Sequence, residues 1–62
     1  MIENYVKKYR QAAGLTLNQL AELSSIPVST INDIERGAEP RVLTAICIAQ
    51  ALGVSVEALW PV

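Results

Sequence analysis

The sequence predicts an all-α fold, a compact bundle of five short helices. Apolar residues recur at helical spacing, and residues suited to helix ends fall at the boundaries of the apolar segments. No segment alternates between apolar and polar residues with the period of two that marks a strand. The 62 residues are expected to form one domain, 1–62, of modest stability. At 52% hydrophobic residues, the chain is too apolar to be disordered.

An apolar face of helical spacing indicates the first helix. Ile2, Val6, Tyr9 and Ala13 follow the pattern i, i+4, i+7 and i+11. Gly14 then suits a left-handed cap at the end of this helix.

The second helix is predicted to run from Thr16 to Ser24. Thr16 and Gln19 fit a capping box, in which each residue bonds the backbone N–H of the other. Leu15 and Leu20 stand in the positions of a hydrophobic staple, which fixes how the chain enters the helix.

The third helix is predicted to run from Pro27 to Arg36, and Gly37 stops it. Ile26 precedes the proline and is pushed toward extended geometry, so it separates helices two and three. The side chains predicted to point inward from helix three are Val28, Ile31 and Ile34.

The fourth helix is predicted from Val42 to Leu52, and Gly53 ends it. Ser55 is expected to cap a last short helix, with Glu57 near the positive end of its dipole. The core stripe of helix four should consist of Ala45, Ile48, Ala49 and Leu52.

The composition argues against enzymes, metal sites and membrane spans. There is no His, which removes the commonest general base, and Cys47 is the single Cys. Thiolate and imidazole ligands are therefore too few for a metal site, and we expect no enzyme, cofactor or metal. No apolar run reaches about 18 residues and no leader opens the chain, so we expect a soluble intracellular protein.

Helices two and three form a helix-turn-helix unit, and several motifs lie within it and on either side of it. In chain order they are Arg10, 14–16 (Gly-Leu-Thr), 20–22 (Leu-Ala-Glu), 31–37 (Ile-Asn-Asp-Ile-Glu-Arg-Gly) and 48–55 (Ile-Ala-Gln-Ala-Leu-Gly-Val-Ser). Together they resemble the Cro/phage-repressor family, the XRE-type helix-turn-helix, over nearly the whole chain. The resemblance implies a lambda-repressor-like DNA-binding domain. It also implies a regulator of transcription, most simply a repressor, in the cytoplasm of a prokaryote or encoded by a phage.

The resemblance also implies that helix three is the recognition helix, with its N-terminal residues at the base edges of double-stranded DNA. The matching positions are Val28, Ser29, Asn32 and Asp33. Asn32 suits adenine N6 and N7, Asp33 suits cytosine N4, Val28 suits a thymine methyl group, and Ser29 can reach several bases. The alternative is that these residues form only the solvated outer face of a bundle helix.

Backbone contacts and one ion pair follow from the same resemblance. The residues that would contact the DNA backbone are Arg10, Asn18, Arg36 and Arg41. Arg10 and Glu35 match the family's ion pair, which ties helix one to the end of helix three. Lys7 and Lys8 are more simply the solvated side of helix one.

Three departures from the family pattern weaken the expected attraction to DNA. Leu17 stands where the family often has Gln, and the helical wheel turns it inward whereas the resemblance turns it outward. Pro27 replaces a small hydroxyl residue, so a helix cap of about 1 kcal/mol is lost. Asp33 and Glu39 add negative charge, and the net charge is −1. We therefore expect measurable DNA binding only as a homodimer on two half-sites about one helical turn apart.

A second apolar flank of helix four hints at a partner surface. Together with the last helix, it offers Leu43, Ile46, Cys47, Val56, Ala58 and Trp60. An exposed patch of this kind marks a dimer interface or a site for a protein partner, such as a toxin or the rest of a longer regulator. The alternative is that the terminal turn folds over this flank and Trp60 completes a small core. Cys47 is most simply a small buried hydrophobic residue.

Overall fold

Five α-helices make up the fold of residues 2–62, the residues that the computed structural model describes. They are α1 (Val6–Ala12), α2 (Leu17–Ser24), α3 (Val28–Glu35), α4 (Val42–Leu52) and α5 (Val56–Leu59). No strand occurs among these residues, and the predicted all-α bundle of five helices is confirmed. No helix in the described range has the length and apolar character that a bilayer span requires.

Helix α1 begins later than its apolar spacing suggests. Ile2 and Ala13 are exposed and lie outside the helix, so their predicted place on the buried face is wrong. Val6 of the predicted face is buried and Tyr9 packs against the core, and Arg10 is buried as well. Ile2 matches the apolar spacing but belongs to an irregular segment that precedes α1. Hydrogen bonds fix the position of this segment, and apolar spacing does not predict them.

Residues 2–5 cross the ends of two other helices. The backbone N–H of Ile2 donates to Gly37 O at 2.8 Å, and that of Tyr5 donates to Leu59 O at 2.9 Å. These two bonds attach the segment to the ends of α3 and α5, so α1 starts from a fixed point.

The capping box of α2 is confirmed. Thr16 Oγ1 accepts from the N–H of Gln19 at 3.1 Å, and Gln19 Oε1 accepts from the N–H of Thr16 at 2.8 Å. At the other end, Ser25 takes a left-handed conformation with φ of 61°, the one positive φ of a non-glycine residue among those described. This turn redirects the chain toward Pro27, which occupies the N-cap of α3 without a capping side chain.

Helix α3 buries Ile31 and Ile34, as predicted, but not Val28, which is 36% exposed. Successive residues of a helix turn by about 100°. Val28 therefore lies about 60° from Ile31 on the side away from Ile34, and it falls on the flank of the buried stripe. The prediction that Val28 points inward is wrong, because the buried stripe of this short helix contains only Ile31 and Ile34.

One apolar cluster draws on every helix. Its buried members are Val6, Leu20, Ile31, Ile34, Ile48, Ala49 and Leu59. Helix α4 also buries Ala45, whereas Leu52 is only partly buried against the cluster. Leu17 is half-buried and packs against the same cluster, so its contacts are with the core.

The C-terminal turn closes over one end of this core. Ser55 Oγ accepts from the N–H of Ala58 at 3.1 Å, which is the predicted cap of α5. Trp60 follows α5 and packs against the core, and its indole Nε1 is buried without a hydrogen-bond partner among residues 2–62. The last helix therefore fixes the tail on the bundle, and Pro61 lines an open cleft together with Glu35, Arg36 and Gly37 at the end of α3.

Candidate nucleic-acid interface

The outer face of α3 carries polar side chains on one continuous arc. Because Ile31 and Ile34 take the inner face, helix geometry places residues at i, i+3, i+4 and i+7 opposite them. These positions are Ser29, Asn32, Asp33 and Arg36, which we call the α3 arc. Ser29, Asp33 and Arg36 are exposed and Asn32 is half-buried. The side chains that the sequence predicts for base contact thus lie together on the surface, with Val28 at their edge.

The packing of the helix-turn-helix unit fixes the inner side of α3. Helix α2 packs against both α3 and α4, and Leu20 at its centre is fully buried. Ser24 is buried at the end of α2, where its Oγ donates to Leu20 O at 2.7 Å. A buried hydroxyl with its donor satisfied makes the end of α2 compatible with the apolar core.

A buried ion pair ties α1 to the end of α3. Arg10 Nε donates to Glu35 Oε2 at 2.7 Å, and Arg10 Nη2 donates to Glu35 Oε1 at 3.2 Å. The third guanidinium nitrogen, Nη1, donates to Leu15 O at 2.8 Å. The two side chains are only 11% and 6% exposed, so the pair is screened little by solvent. Arg10 is therefore a strut between α1, the α1–α2 turn and α3.

Asn4 makes a second tie to α3 that sequence reasoning missed. Its Nδ2 donates to Ile34 O at 2.8 Å, and its Oδ1 accepts from the N–H of Val6 at 3.0 Å. One amide thus joins the start of α1 to the last turn of α3. The signal available in the sequence was a single Asn shortly before an apolar helix, a residue that often bonds the backbone two positions onward.

The charges around the α3 arc balance. Between residues 26 and 44 the exposed cations are Arg36 and Arg41 and the exposed anions are Asp33 and Glu39, so this surface has a formal charge of zero. Arg41 stands at the N-cap of α4, and Asn18 is exposed in the first turn of α2. The surface thus carries hydrogen-bond donors of the kind that contact phosphates, without the positive excess that favours nonspecific binding to DNA.

An open cleft of about 430 Å³ adjoins the α3 arc at the start of α4. Its polar lining residues are Thr30, Asp33, Glu39, Arg41 and Thr44. Asp33 and Arg41 share this cleft but form no ion pair. Both groups are therefore available to a molecule that enters the cleft.

The predicted partner surface is divided by the structure. Leu43 is 76% exposed, and Ile46 and Val56 are exposed to a lesser degree. Cys47, Ala58 and Trp60 are half-buried. Val42, which the sequence prediction assigned only to the start of helix four, is as exposed as Leu43. The apolar surface is thus concentrated at the beginning of α4, next to the cleft.

Comparison with protein families agrees with this geometry. The family model described as helix-turn-helix matches residues 6–59, which include all five helices. No curated protein sequence matches the chain. The family consists of DNA-binding regulators, and it is not generally enzymatic. On the match over 6–59, the chain belongs to the Cro/repressor family of XRE-type helix-turn-helix proteins and is a DNA-binding regulator.

Proposed function

We propose that the protein is a sequence-specific repressor that acts as a homodimer, each protomer reading one operator half-site with α3. The observation that carries the proposal is the α3 arc, a row of polar side chains on a helix whose other face is locked into the core. Such a helix can enter the major groove without losing its own packing. A protein bound to the operator would exclude polymerase from that site. The protein would act in the cytoplasm of a prokaryotic host.

The predicted contact residues other than Asp33 each have a role in this proposal. Asn32 pairs with an adenine, and Ser29 and Val28 contact neighbouring base edges. The contacts that position the protein on phosphates come from Asn18, Arg36 and Arg41. Arg10 keeps α3 in place, and little of its side chain is left open for a phosphate.

The balanced charge around the arc makes a single protomer a weak ligand for DNA. Each phosphate contact adds about −0.9 to the slope of log affinity against log salt, and few cations are available here. Two linked protomers bind two half-sites and gain avidity that one protomer lacks. The proposal therefore couples operator binding to dimer formation.

Substitution of Asn32 by Ala should weaken binding to the preferred operator by about 5- to 150-fold, that is about 1–3 kcal/mol. The loss should be confined to one base pair of each half-site, because the lost contact reads a base. Stability should hardly change, since the Asn32 side chain makes no hydrogen bond within residues 2–62. Fluorescence titration against sites selected from random DNA, at low and physiological salt, measures both effects.

Gln11, exposed on α1, provides the matched control, and Gln11→Ala should leave affinity and preference unchanged. A loss that is equal for all DNA sequences would mean that Asn32 contacts only the backbone. If the unaltered protein binds no DNA better than unrelated DNA, even at low salt, the operator-reading proposal is overturned.

The homodimer is supported by the apolar start of α4. Large side chains that are 76% exposed, as Val42 and Leu43 are, are usually covered by a partner when they adjoin one another. Leu43→Gln should raise the dimer dissociation constant at least tenfold in sedimentation over a concentration series. Leu23→Gln, at a comparably exposed leucine on α2, should leave it unchanged. A protein that stays monomeric at every concentration would contradict the homodimer.

The same apolar surface supports a second function, a protein-interaction module. In that case Val42, Leu43 and Ile46 hold a different protein, as an antitoxin or a domain of a larger regulator would. One substitution distinguishes the two functions. Leu43→Gln weakens operator binding if the patch joins two copies of the chain, and leaves it unchanged if the patch serves another protein.

A further inference from the structure

Asp33 occupies a position in α3 where a negative charge lowers the stability of the helix. It lies in the last turn of α3, where the carbonyl end of the dipole disfavours a carboxylate. Its side chain forms neither an ion pair nor a hydrogen bond within residues 2–62. A residue that breaks a local rule without a compensating contact points to a role outside the fold.

The base-facing half of the α3 arc lacks a cation. Ser29, Asn32 and Asp33 stand there, and the first cation, Arg36, lies beyond the last helical residue. Guanine presents only acceptors in the major groove, O6 and N7, and is read most often by Arg or Lys. A carboxylate accepts hydrogen bonds and cannot donate them in its ionised form. Opposite guanine O6 or thymine O4, the Asp33 carboxylate can therefore form no hydrogen bond, and its oxygen atoms are repelled by the base oxygen.

Exocyclic amino groups are the complementary partners. Cytosine N4 and adenine N6 both donate into the major groove, and a carboxylate accepts from cytosine N4. Resting on the proposed function, we infer that Asp33 is a selector. It restricts the operator to sequences with an amino-bearing base, cytosine foremost, on the contacted strand at one position of each half-site. It rejects guanine and thymine there.

Glu39 allows the base-reading effect of Asp33 to be separated from its charge. Both carboxylates are exposed and line the same cleft beside α4, but Glu39 lies in the α3–α4 loop and not on the α3 arc. Asp33→Asn and Glu39→Gln each remove one negative charge near the DNA. Both variants should therefore bind DNA more tightly because one repulsive charge is gone. A difference between their base preferences then reports the contact of Asp33 with a base.

The experiment enriches operator sites from random DNA with the unaltered 62-residue protein and with both variants, at one low salt concentration. The unaltered protein should prefer cytosine or adenine over guanine by about tenfold at one position. Asp33→Asn should lose the preference for cytosine at that position alone and shift it toward adenine, whose N6 and N7 suit an amide. Glu39→Gln should keep it while binding all sequences more tightly. Thermal unfolding of both variants checks that the fold is intact.

Two outcomes overturn the inference in different ways. If Asp33→Asn keeps every base preference and only binds more tightly, as Glu39→Gln does, Asp33 acts through charge alone and the selector role fails while the proposed function stands. If the unaltered protein enriches no sequence at any position, the proposed function fails and the selector role fails with it.

Discussion

Replacement of Glu35 by Ala should unfold a large part of the protein at 25 °C. The substitution leaves the buried Arg10 guanidinium with Leu15 O as its remaining partner. Breaking a buried pair by removing one partner typically loses about 3–5 kcal/mol. A chain of 62 residues has a total unfolding free energy of about 3–9 kcal/mol. The loss is therefore comparable to the whole stability of the domain.

Urea denaturation followed by the fluorescence of Trp60, the single tryptophan, measures this effect. Arg36→Ala is the control, because it removes an exposed cation at the end of the same helix that forms no ion pair within residues 2–62. It should change stability by less than about 0.5 kcal/mol. The double variant Arg10→Met with Glu35→Leu should recover much of the loss, since no charge is left buried alone. A loss below about 1 kcal/mol for Glu35→Ala would show that the pair behaves like a surface ion pair.

The helix ends were predictable because each depends on neighbouring residues. The Thr16–Gln19 capping box and the Ser55 cap both rest on side chains that bond backbone groups three residues away. Gly53 ends α4 in a left-handed conformation, with φ of 71°, for an equally local reason. Short-range chemistry of this kind is fully present in the sequence.

The limits of α1 were not predictable by the same means. Asn4 bonds Ile34, thirty positions away, and this contact exists only after α3 has packed beside the N-terminal segment. Ile2 continued the apolar spacing by coincidence and lies outside the helix. Val28 shows a related limit, since an apolar residue on the flank of a short helix is placed by its neighbours' packing and not by its own hydrophobicity.

The ion pair was predicted from the family resemblance and not from residue spacing. Arg10 and Glu35 stand 25 positions apart, and neither charge on its own indicates a buried partner. Charged residues are rarely buried unless they are paired, so apolar patterning assigns both of them to the surface. The candidate base-contact residues needed both sources, because helical spacing places them on one face and the family match gives that face its role.

Ile31→Ala should lower the unfolding free energy by about 2–5 kcal/mol, the second large effect expected in this protein. Ile31 is fully buried on the inner face of α3, directly behind Ser29 and Asp33, so truncation leaves a cavity beneath the α3 arc. Ile31→Val, which removes a single methylene group, should lose only about 0.5–1.5 kcal/mol. Urea denaturation of both variants measures the two losses.

The Ile31 variants also test whether the arc is a rigid platform. Operator affinity should fall only as far as the folded fraction falls, since the side chains proposed to read DNA project from the opposite face and keep their positions as long as α3 is packed. For Ile31→Val the folded fraction stays high, so its affinity should be close to that of the unaltered protein. If Ile31→Val loses affinity well beyond its loss of folded protein, the core sets the positions of the base-reading side chains, and small repacking changes behind α3 are then a route to altered operator preference.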